Sequence, residues 1–181
     1  MKQRGFSLIE LMVAVGILIL INTMIFAKYP EFSQRMALKR TSEEIALIAR
    51  QAQAYSLGIK KSASGSDDFF GFGIYFDKNN PKSLILFTDS DSDKTYDKNS
   101  GELFQEFKID TGDYISNLQT CNSSNVCSPA ITLDIVYPRA SSIATINKNS
   151  GTSYAQITIK SPQGDKKKDI KIWISGQITV E

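Results

Sequence analysis

The amino-acid sequence predicts an α+β fold in which one long N-terminal helix, membrane-spanning in its first half, packs on an antiparallel β-sheet. Three observations predict this fold: an apolar run over residues 6–27, a seven-residue apolar repeat over 32–59, and β-type segments after residue 65. The 181-residue chain is 41% hydrophobic and 22% charged, which is typical of one globular domain plus a local apolar segment.

The apolar run is long enough to cross a bilayer. Its 22 residues would span about 33 Å as an α-helix, close to the roughly 30 Å hydrocarbon core. A secretory signal peptide is the alternative, but its apolar region typically has only about 7–15 residues. Because Lys2 and Arg4 precede the run, the positive-inside rule places the N terminus in the cytoplasm and the rest of the chain outside it. The polar residues within the run are Ser7, Glu10, Asn22 and Thr23.

Residues 32–59 continue the helix, with a kink expected at Pro30. Charged side chains occupy the opposite positions, so the apolar stripe is expected to lie on a sheet. Gly58 and the serines of 62–66 are expected to end the helix. The stripe consists of Leu38, Ile45, Ala52 and Ile59, with Thr41, Ile48 and Tyr55 on the adjacent rows.

Six segments rich in β-branched and aromatic residues predict strands. Residues 79–81 and 162–165 are turn sequences between such segments, which favours antiparallel pairing with one face of the sheet covered by the helix. The predicted strands are 72–76, 83–88, 103–109, 131–137, 154–160 and 170–180.

Glu10 is an ionisable residue in an apolar helix, where burial is costly unless a positive group neutralises it. A cut after Gly5 would create an α-amino group on Phe6, one helical turn away, that could pair with the Glu10 carboxylate of an adjacent subunit. Residues 5–11, GFSLIEL, resemble the processing site of type IV prepilins and type II secretion pseudopilins. The resemblance implies that prepilin peptidase cuts between Gly5 and Phe6 and methylates Phe6, and that Glu10 is the assembly glutamate.

The same resemblance implies an organisation and a role. Residues 1–5 would be the leader, 6–29 the transmembrane and assembly helix, and 30–181 an exported pilin-like domain. The chain would be a structural subunit of a type IV pilus or type II secretion pseudopilus, anchored in the cytoplasmic (inner) membrane and later part of a periplasmic or extracellular filament. Its partners would be other pilins or pseudopilins, prepilin peptidase, the inner-membrane assembly platform and membrane lipid. Segments 72–76, 86–89 and 174–178 look most like the minor pilins and minor pseudopilins.

Composition argues against catalysis. The chain has no His, which excludes a His-based triad, a His general base and the common His-containing zinc sites. It also shows no phosphate loop or nucleophile elbow, so no enzyme is expected. The net charge of +2 hides a segregation, because residues 62–138 carry −7 while 28–61 and 139–181 each carry +4.

An acidic segment is a candidate calcium site. Its carboxylates alternate along the chain as in a loop that wraps a hard cation, and some pseudopilins hold calcium in a loop of the sheet domain. Two residues depart from the EF-hand pattern. Lys94 stands where an EF-hand has glycine, and Ser100 stands where it has a bidentate glutamate. A solvated acidic turn is the alternative. The candidate ligands are Asp89, Asp91, Asp93, Asp97 and Glu102.

Cys121 and Cys127 are expected to form a disulfide, because an exported domain with two close cysteines favours one. Zinc is disfavoured, since two thiolates supply only half of a tetrahedral shell. A lysine-rich turn is a candidate for binding the phosphates of DNA. The alternative is a solvated turn without a ligand. The lysines are Lys166, Lys167, Lys168 and Lys171.

Two functional alternatives to a purely structural subunit stay open at this stage. One is a DNA-binding minor pilin of a DNA-uptake filament. The other is a permanently membrane-anchored, calcium-binding domain whose N terminus is never cut.

Overall fold

The computed structural model describes residues 7–58, 69–148 and 151–181. Within these residues one helix, α1 (Leu8–Leu57), is followed by ten strands, and the chain divides into two compact units, 1–36 and 37–181. The predicted boundaries of the leader, helix and exported domain stay predictions. The strands are β1 (Gly71–Asp77), β2 (Ser83–Asp89), β3 (Leu103–Lys108), β4 (Tyr114–Cys121), β5 (Cys127–Ala130), β6 (Thr132–Pro138), β7 (Thr145–Ile146), β8 (Tyr154–Lys160), β9 (Lys167–Trp173) and β10 (Ile178–Val180).

Helix α1 runs unbroken through Pro30, and the kink expected there stays a prediction. Proline lacks the N–H that would bond to the carbonyl four residues earlier, but a long helix tolerates one such loss when its other bonds persist. Exposed ion pairs four residues apart follow directly, with Arg35 2.6 Å from Glu31 and Arg40 2.9 Å from Glu44. Such pairs favour helical conformation after the apolar run ends.

The predicted α+β class is confirmed, but the strands form two antiparallel sheets, whereas one was predicted. The first sheet has the order β3-β2-β1-β6-β7 and the second the order β10-β9-β8-β4-β5. Predicted segment 170–180 splits into β9 and β10, because Gly176 turns the chain between them with a φ of +85°. Strands β4, β5 and β7 were not predicted.

The apolar stripe of α1 lies in the core, as predicted. Leu38, Ile45 and Ala52 are all at most 3% exposed and belong to one cluster with side chains of both sheets. Ile59, the last member of the predicted stripe, lies outside the described residues. From the sheets the cluster includes Phe72, Ile74, Phe76, Leu86, Ile135, Tyr137, Leu118, Ile157, Ile159, Ile170 and Ile172.

Ser56 connects α1 to the first sheet by a pair of buried hydrogen bonds. Its hydroxyl donates to the carbonyl oxygen of Tyr137 at 2.7 Å and accepts from the backbone N–H of Phe72 at 2.9 Å. The two backbone groups lie on the neighbouring strands β6 and β1. The neighbouring Gly71 leaves no room for a side chain, because an added Cβ would lie 2.4 Å from the Tyr137 oxygen. The helix therefore fixes the position of the sheet on which the acidic loop is built.

Candidate functional site

The N-terminal site begins at the edge of the described residues. Gly5 and Phe6, the predicted cleavage pair, lie outside them. Glu10 lies in the first turn of α1, where a carboxylate is favoured by the positive end of the helix dipole, and its side chain is exposed. An exposed carboxylate in this turn is accessible to a positive group of another chain.

The surface around Glu10 is apolar. From Leu8 to Phe26 the large apolar side chains of the described helix are between 46% and 77% exposed. The mean hydropathy of this stretch reaches 2.4 over 18 residues, so by length and composition the helix could cross a membrane.

Two polar residues of the run bond to the helix that carries them. Asn22 Nδ2 donates to the carbonyl oxygen of Leu18 at 2.7 Å, and Thr23 Oγ1 donates to that of Ile19 at 2.8 Å. Hydrogen bonding of this kind lowers the cost of placing polar side chains in lipid. The run can therefore contact lipid or other apolar helices despite these two side chains.

The acidic loop between β2 and β3 brings all five predicted ligands together in two overlapping groups. Carboxylate oxygens of Asp89, Asp91 and Glu102 lie within 4.8 Å of one another, as do those of Asp91, Asp93 and Asp97. Asp89 and Glu102 are 2% and 1% exposed. Burial of like charges at this spacing is unfavourable without a cation or a proton.

Protein groups already occupy part of this cluster. Glu102 Oε1 accepts from the backbone N–H of Ser90 and Oε2 accepts from that of Asp97, both at 3.0 Å, so this side chain ties the two ends of the loop together. Asp93 Oδ2 pairs with the ammonium of Lys148 at 3.0 Å. Hydrogen bonds from Thr95, followed by that from Lys148, lower the pKa of the Asp93 carboxyl.

Asp89 is the least satisfied member of the cluster. Its Oδ1 is buried and has no hydrogen-bond partner among the described residues. Burial, together with the nearby carboxylates of Glu102, Asp91 and Asp93, raises the pKa of Asp89 to about 6. An oxygen in this state is suited to accept a cation or to hold a proton.

The departures from the EF-hand pattern have a structural outcome. Lys94 adopts the left-handed backbone conformation, with a φ of +64°, at the place where glycine was expected. Ser100 does not enter either carboxylate group, and Glu102, two residues later, does. The chain therefore turns at Lys94 without glycine, and Glu102 stands in the carboxylate group in place of Ser100.

The predicted disulfide between Cys121 and Cys127 is present and joins β4 to β5 where the two residues are register partners. It closes the hairpin of the second sheet, outside the apolar cluster shared with α1. The bond therefore constrains one edge of the molecule.

Of the four lysines predicted in and after a turn, Lys167, Lys168 and Lys171 lie on β9, and three of the four are paired with carboxylates. Lys166 lies 2.9 Å from Asp165 and Lys171 lies 2.7 Å from Glu181, while Lys167 is 3.8 Å from Asp169. The hydrogen bond from Lys166 lowers the pKa of Asp165, and that to Glu181 raises the pKa of Lys171. DNA binding by Lys166, Lys167, Lys168 and Lys171 stays a prediction.

The structure also shows a cleft that the sequence did not indicate. It encloses about 460 Å³ on the outer face of the first sheet and is lined by Tyr75, Tyr96, Asp77, Glu106 and Lys98, among others. These residues come from β1, the acidic loop and β3, which are distant in sequence. The sequence signal for this cleft is the spacing of Tyr75 and Asp77, which are two residues apart and therefore lie on one face of a strand.

The comparison with protein families gives one match. The prokaryotic N-terminal methylation motif matches residues 1–21, which include Gly5, Phe6 and Glu10. Neither the curated proteins nor the solved structures contain a match. The motif supports the type IV pilin and pseudopilin family and a precursor that is processed by prepilin peptidase. That family is structural, which is consistent with the expectation that the chain is no enzyme.

Proposed function

We propose that this chain, a type IV pilin or pseudopilin precursor, is a minor structural subunit that assembles into a filament through its N-terminal helix. Prepilin peptidase cuts between Gly5 and Phe6 and methylates the new α-amino group. The observation that carries the proposal is the methylation motif at the start of a long, exposed apolar helix.

Glu10 is the residue on which the assembly step depends. In a bundle of such helices its carboxylate is removed from water, so it requires a positive partner. The α-amino group of Phe6 of a neighbouring subunit supplies that charge once the leader is removed. Exposure of the Glu10 side chain in the single chain supports this pairing. The apolar side chains around it supply the remaining contact between helices.

The test combines processing with assembly. Intact mass and N-terminal sequencing of the protein from membranes and from sheared filaments should show chains that begin at methylated Phe6. Glu10→Ala should be processed normally and be missing from filaments. Glu43→Ala is the matched control, since Glu43 is an exposed carboxylate on the same helix outside the apolar run, and it should assemble. A filament that incorporates Glu10→Ala at the wild-type level contradicts the role of Glu10.

The proposal also covers two further properties of the chain: that it is a minor subunit of the filament, and how the precursor is oriented in the membrane. The minor assignment has support from the resemblance of segments 72–76, 86–89 and 174–178 alone. Quantitative mass spectrometry of purified filaments tests it, because a minor subunit is far less abundant than the principal one. The N terminus of the precursor faces the cytoplasm, and accessibility of a cysteine introduced at either end of the helix to an impermeant reagent tests that orientation.

A second candidate function is calcium binding by the acidic loop. The specific observation is the carboxylate of Asp89, whose buried Oδ1 has no hydrogen-bond partner among the described residues and which offers an oxygen within 4.8 Å of carboxylate oxygens of Asp91 and Glu102. Oxygen ligands of this type suit Ca²⁺, and a bound cation would remove the repulsion between the carboxylates. Asp93 contributes less, because Lys148 already neutralises it.

Calorimetric titration of the full chain in detergent micelles with calcium chloride tests this candidate. Wild type should bind and unfold at a higher temperature with calcium than with EDTA. Asp89→Asn should lose at least roughly tenfold in affinity, since it removes a charged ligand from the buried group. Asp110→Asn, which removes the same charge from an exposed position outside the cluster, should bind as wild type does. Equal losses of calcium affinity in the two variants would show that calcium is attracted by negative charge in general and not bound at the Asp89 cluster.

A further inference from the structure

We propose that the cleft on the outer face of the first sheet binds an organic cation, either an alkylammonium or a guanidinium group. Two tyrosine rings form its wall. Tyr75 and Tyr96 lie with ring centroids 5.2 Å apart and planes inclined at 42°, and Tyr96 also packs on Phe87 at 5.5 Å. Aromatic faces attract cations through their quadrupole, and tyrosine does so well.

Carboxylates lie beside the rings. Asp77 follows Tyr75 by two residues on β1, so both side chains lie on the same face of the sheet. Glu106 is aligned with them through the register, because Tyr75 pairs with Ile85 and Ile85 pairs with Glu106. Both carboxylates line the cleft together with the two rings, so an ammonium group in the cleft would meet opposite charge.

Among the charged residues that line the cleft, the two carboxylates of Asp77 and Glu106 outnumber the one ammonium group, that of Lys98. Burial, and after it the charges of Asp77 and Asp134, raises the pKa of the Tyr75 phenol. Segment 62–138, to which all of these groups belong, has a net charge of −7. A cation is favoured at such a place and an anion is repelled.

The cleft has the size and rigidity of a ligand site. Its volume of about 460 Å³ falls in the range of roughly 300–1,000 Å³ that is common for such sites. The backbone of Tyr96 is fixed, since its N–H donates to Oδ1 of the buried Asp134 at 3.0 Å. The ring itself packs on Tyr75 and Phe87, and a ring held in this way before a ligand arrives reduces the entropy lost on binding.

Lys98 also lines the cleft and carries the same charge as the proposed ligand. Its ammonium group is expected to oppose binding. Glu106, by contrast, is an exposed edge-strand residue whose substitution should not disturb the fold. These two residues give variants with opposite expected effects on affinity at nearly the same place.

The test uses the full chain in uncharged detergent micelles with calcium chloride present throughout, so that the acidic loop stays in one state. The probes are spermidine and a tetralysine peptide, with tetraglutamate as the anionic control. Calorimetry should show binding of both cations and none of tetraglutamate. Glu106→Gln should weaken binding by roughly two- to fivefold, the size expected from one exposed charge contact. Lys98→Gln should strengthen it by a similar factor, and Tyr75→Phe, which keeps the ring, should retain it.

Glu43→Gln is the matched control, because it removes one exposed carboxylate from the helix, away from the cleft. Equal weakening by Glu43→Gln and Glu106→Gln would overturn the proposal, as would failure of both cations to bind. The two probes also separate the sources of the cation. Tetralysine binding more than roughly tenfold tighter than spermidine identifies a basic side chain of a partner protein, and similar affinities identify a free polyamine.

Discussion

At the scale of single residues, the hydroxyl of Ser56 determines how securely α1 is attached to the first sheet. Ser56→Ala would leave the buried N–H of Phe72 and carbonyl of Tyr137 without this partner. We expect the free energy of unfolding of the 37–181 unit to fall by about 2 kcal/mol, because buried polar groups that lose their partner keep the cost of desolvation. Denaturant unfolding of the full chain in micelles measures the loss.

Ser42→Ala is the control for that prediction. Ser42 is equally buried, but its hydroxyl donates only to the Leu38 carbonyl of its own helix turn, at 2.7 Å. Alanine removes a donor there without stranding a sheet group and has a higher helix propensity, so the change should be close to neutral. If the two variants were equally destabilised, loss of the buried hydroxyl itself would be the cause and the connecting role of Ser56 would be wrong.

Asp134 gives a pH-dependent prediction. Burial raises the pKa of its carboxyl to about 6, although the N–H of Tyr96 opposes the shift, as does the charge of Lys148. Because the folded pKa exceeds the unfolded one, the favourable contribution of this group is fully present below about pH 4 and is lost as the pH rises to 6. At pH 7 the ionised group costs at most about 3 kcal/mol.

Asp134→Asn should therefore be at least as stable as wild type at pH 7, since an amide oxygen can still accept from Tyr96 and carries no charge. The difference in unfolding free energy between the two proteins should shrink as the pH falls from 6 to 4. Urea unfolding at several pH values, in EDTA, measures this difference, and the similar titration of Asp89 cancels because both proteins contain it. A difference that is constant with pH would contradict the assignment.

At the scale of elements, the disulfide holds the hairpin of β4 and β5. The cysteines are six residues apart, so the closed loop is short and its removal should cost only about 2 kcal/mol. We expect the double variant Cys121→Ala/Cys127→Ala to keep its fold, because neither cysteine belongs to the core cluster. Circular dichroism and denaturant unfolding check this, and wild type under reducing conditions should match the variant. Loss of the native spectrum would show that the bond supports more than the hairpin.

The sequence predicted the elements whose patterns are local. The stripe of α1 and strands such as β1 and β8 follow from periodicity in a window of a few residues. Strand β4 was missed because it contains Asn117, Gln119 and Thr120, and a register shift between Ile115 and Asn117 interrupts its alternation. Because β4 and β5 were not predicted, a second sheet was not expected from the sequence.

At the scale of the whole molecule, the acidic loop and the cleft differ in whether their residues are close together in the sequence. The acidic loop was predictable because its ligands lie within 14 residues of one another in the chain. The cleft was not, since Tyr75, Tyr96 and Glu106 meet only through strand register and loop folding. Asp134 reached the loop in the same way, across 38 residues from Tyr96. A site whose residues are distant in the sequence can therefore be recognised only when the fold is known.

The two units differ in what they expose, and this gives the last prediction. Replacing Ile17 and Ile21 by lysine should remove the chain from membranes, because each charge near the middle of the run costs about 3 kcal/mol. Leu47 and Leu57 are 58% and 54% exposed on the same helix outside the run. Replacing these two residues by lysine should leave the chain in the membrane. Carbonate extraction of membranes distinguishes the two variants. Retention of Ile17→Lys/Ile21→Lys would mean that contacts of residues 37–181 hold the protein at the membrane, and the apolar run would then serve assembly alone.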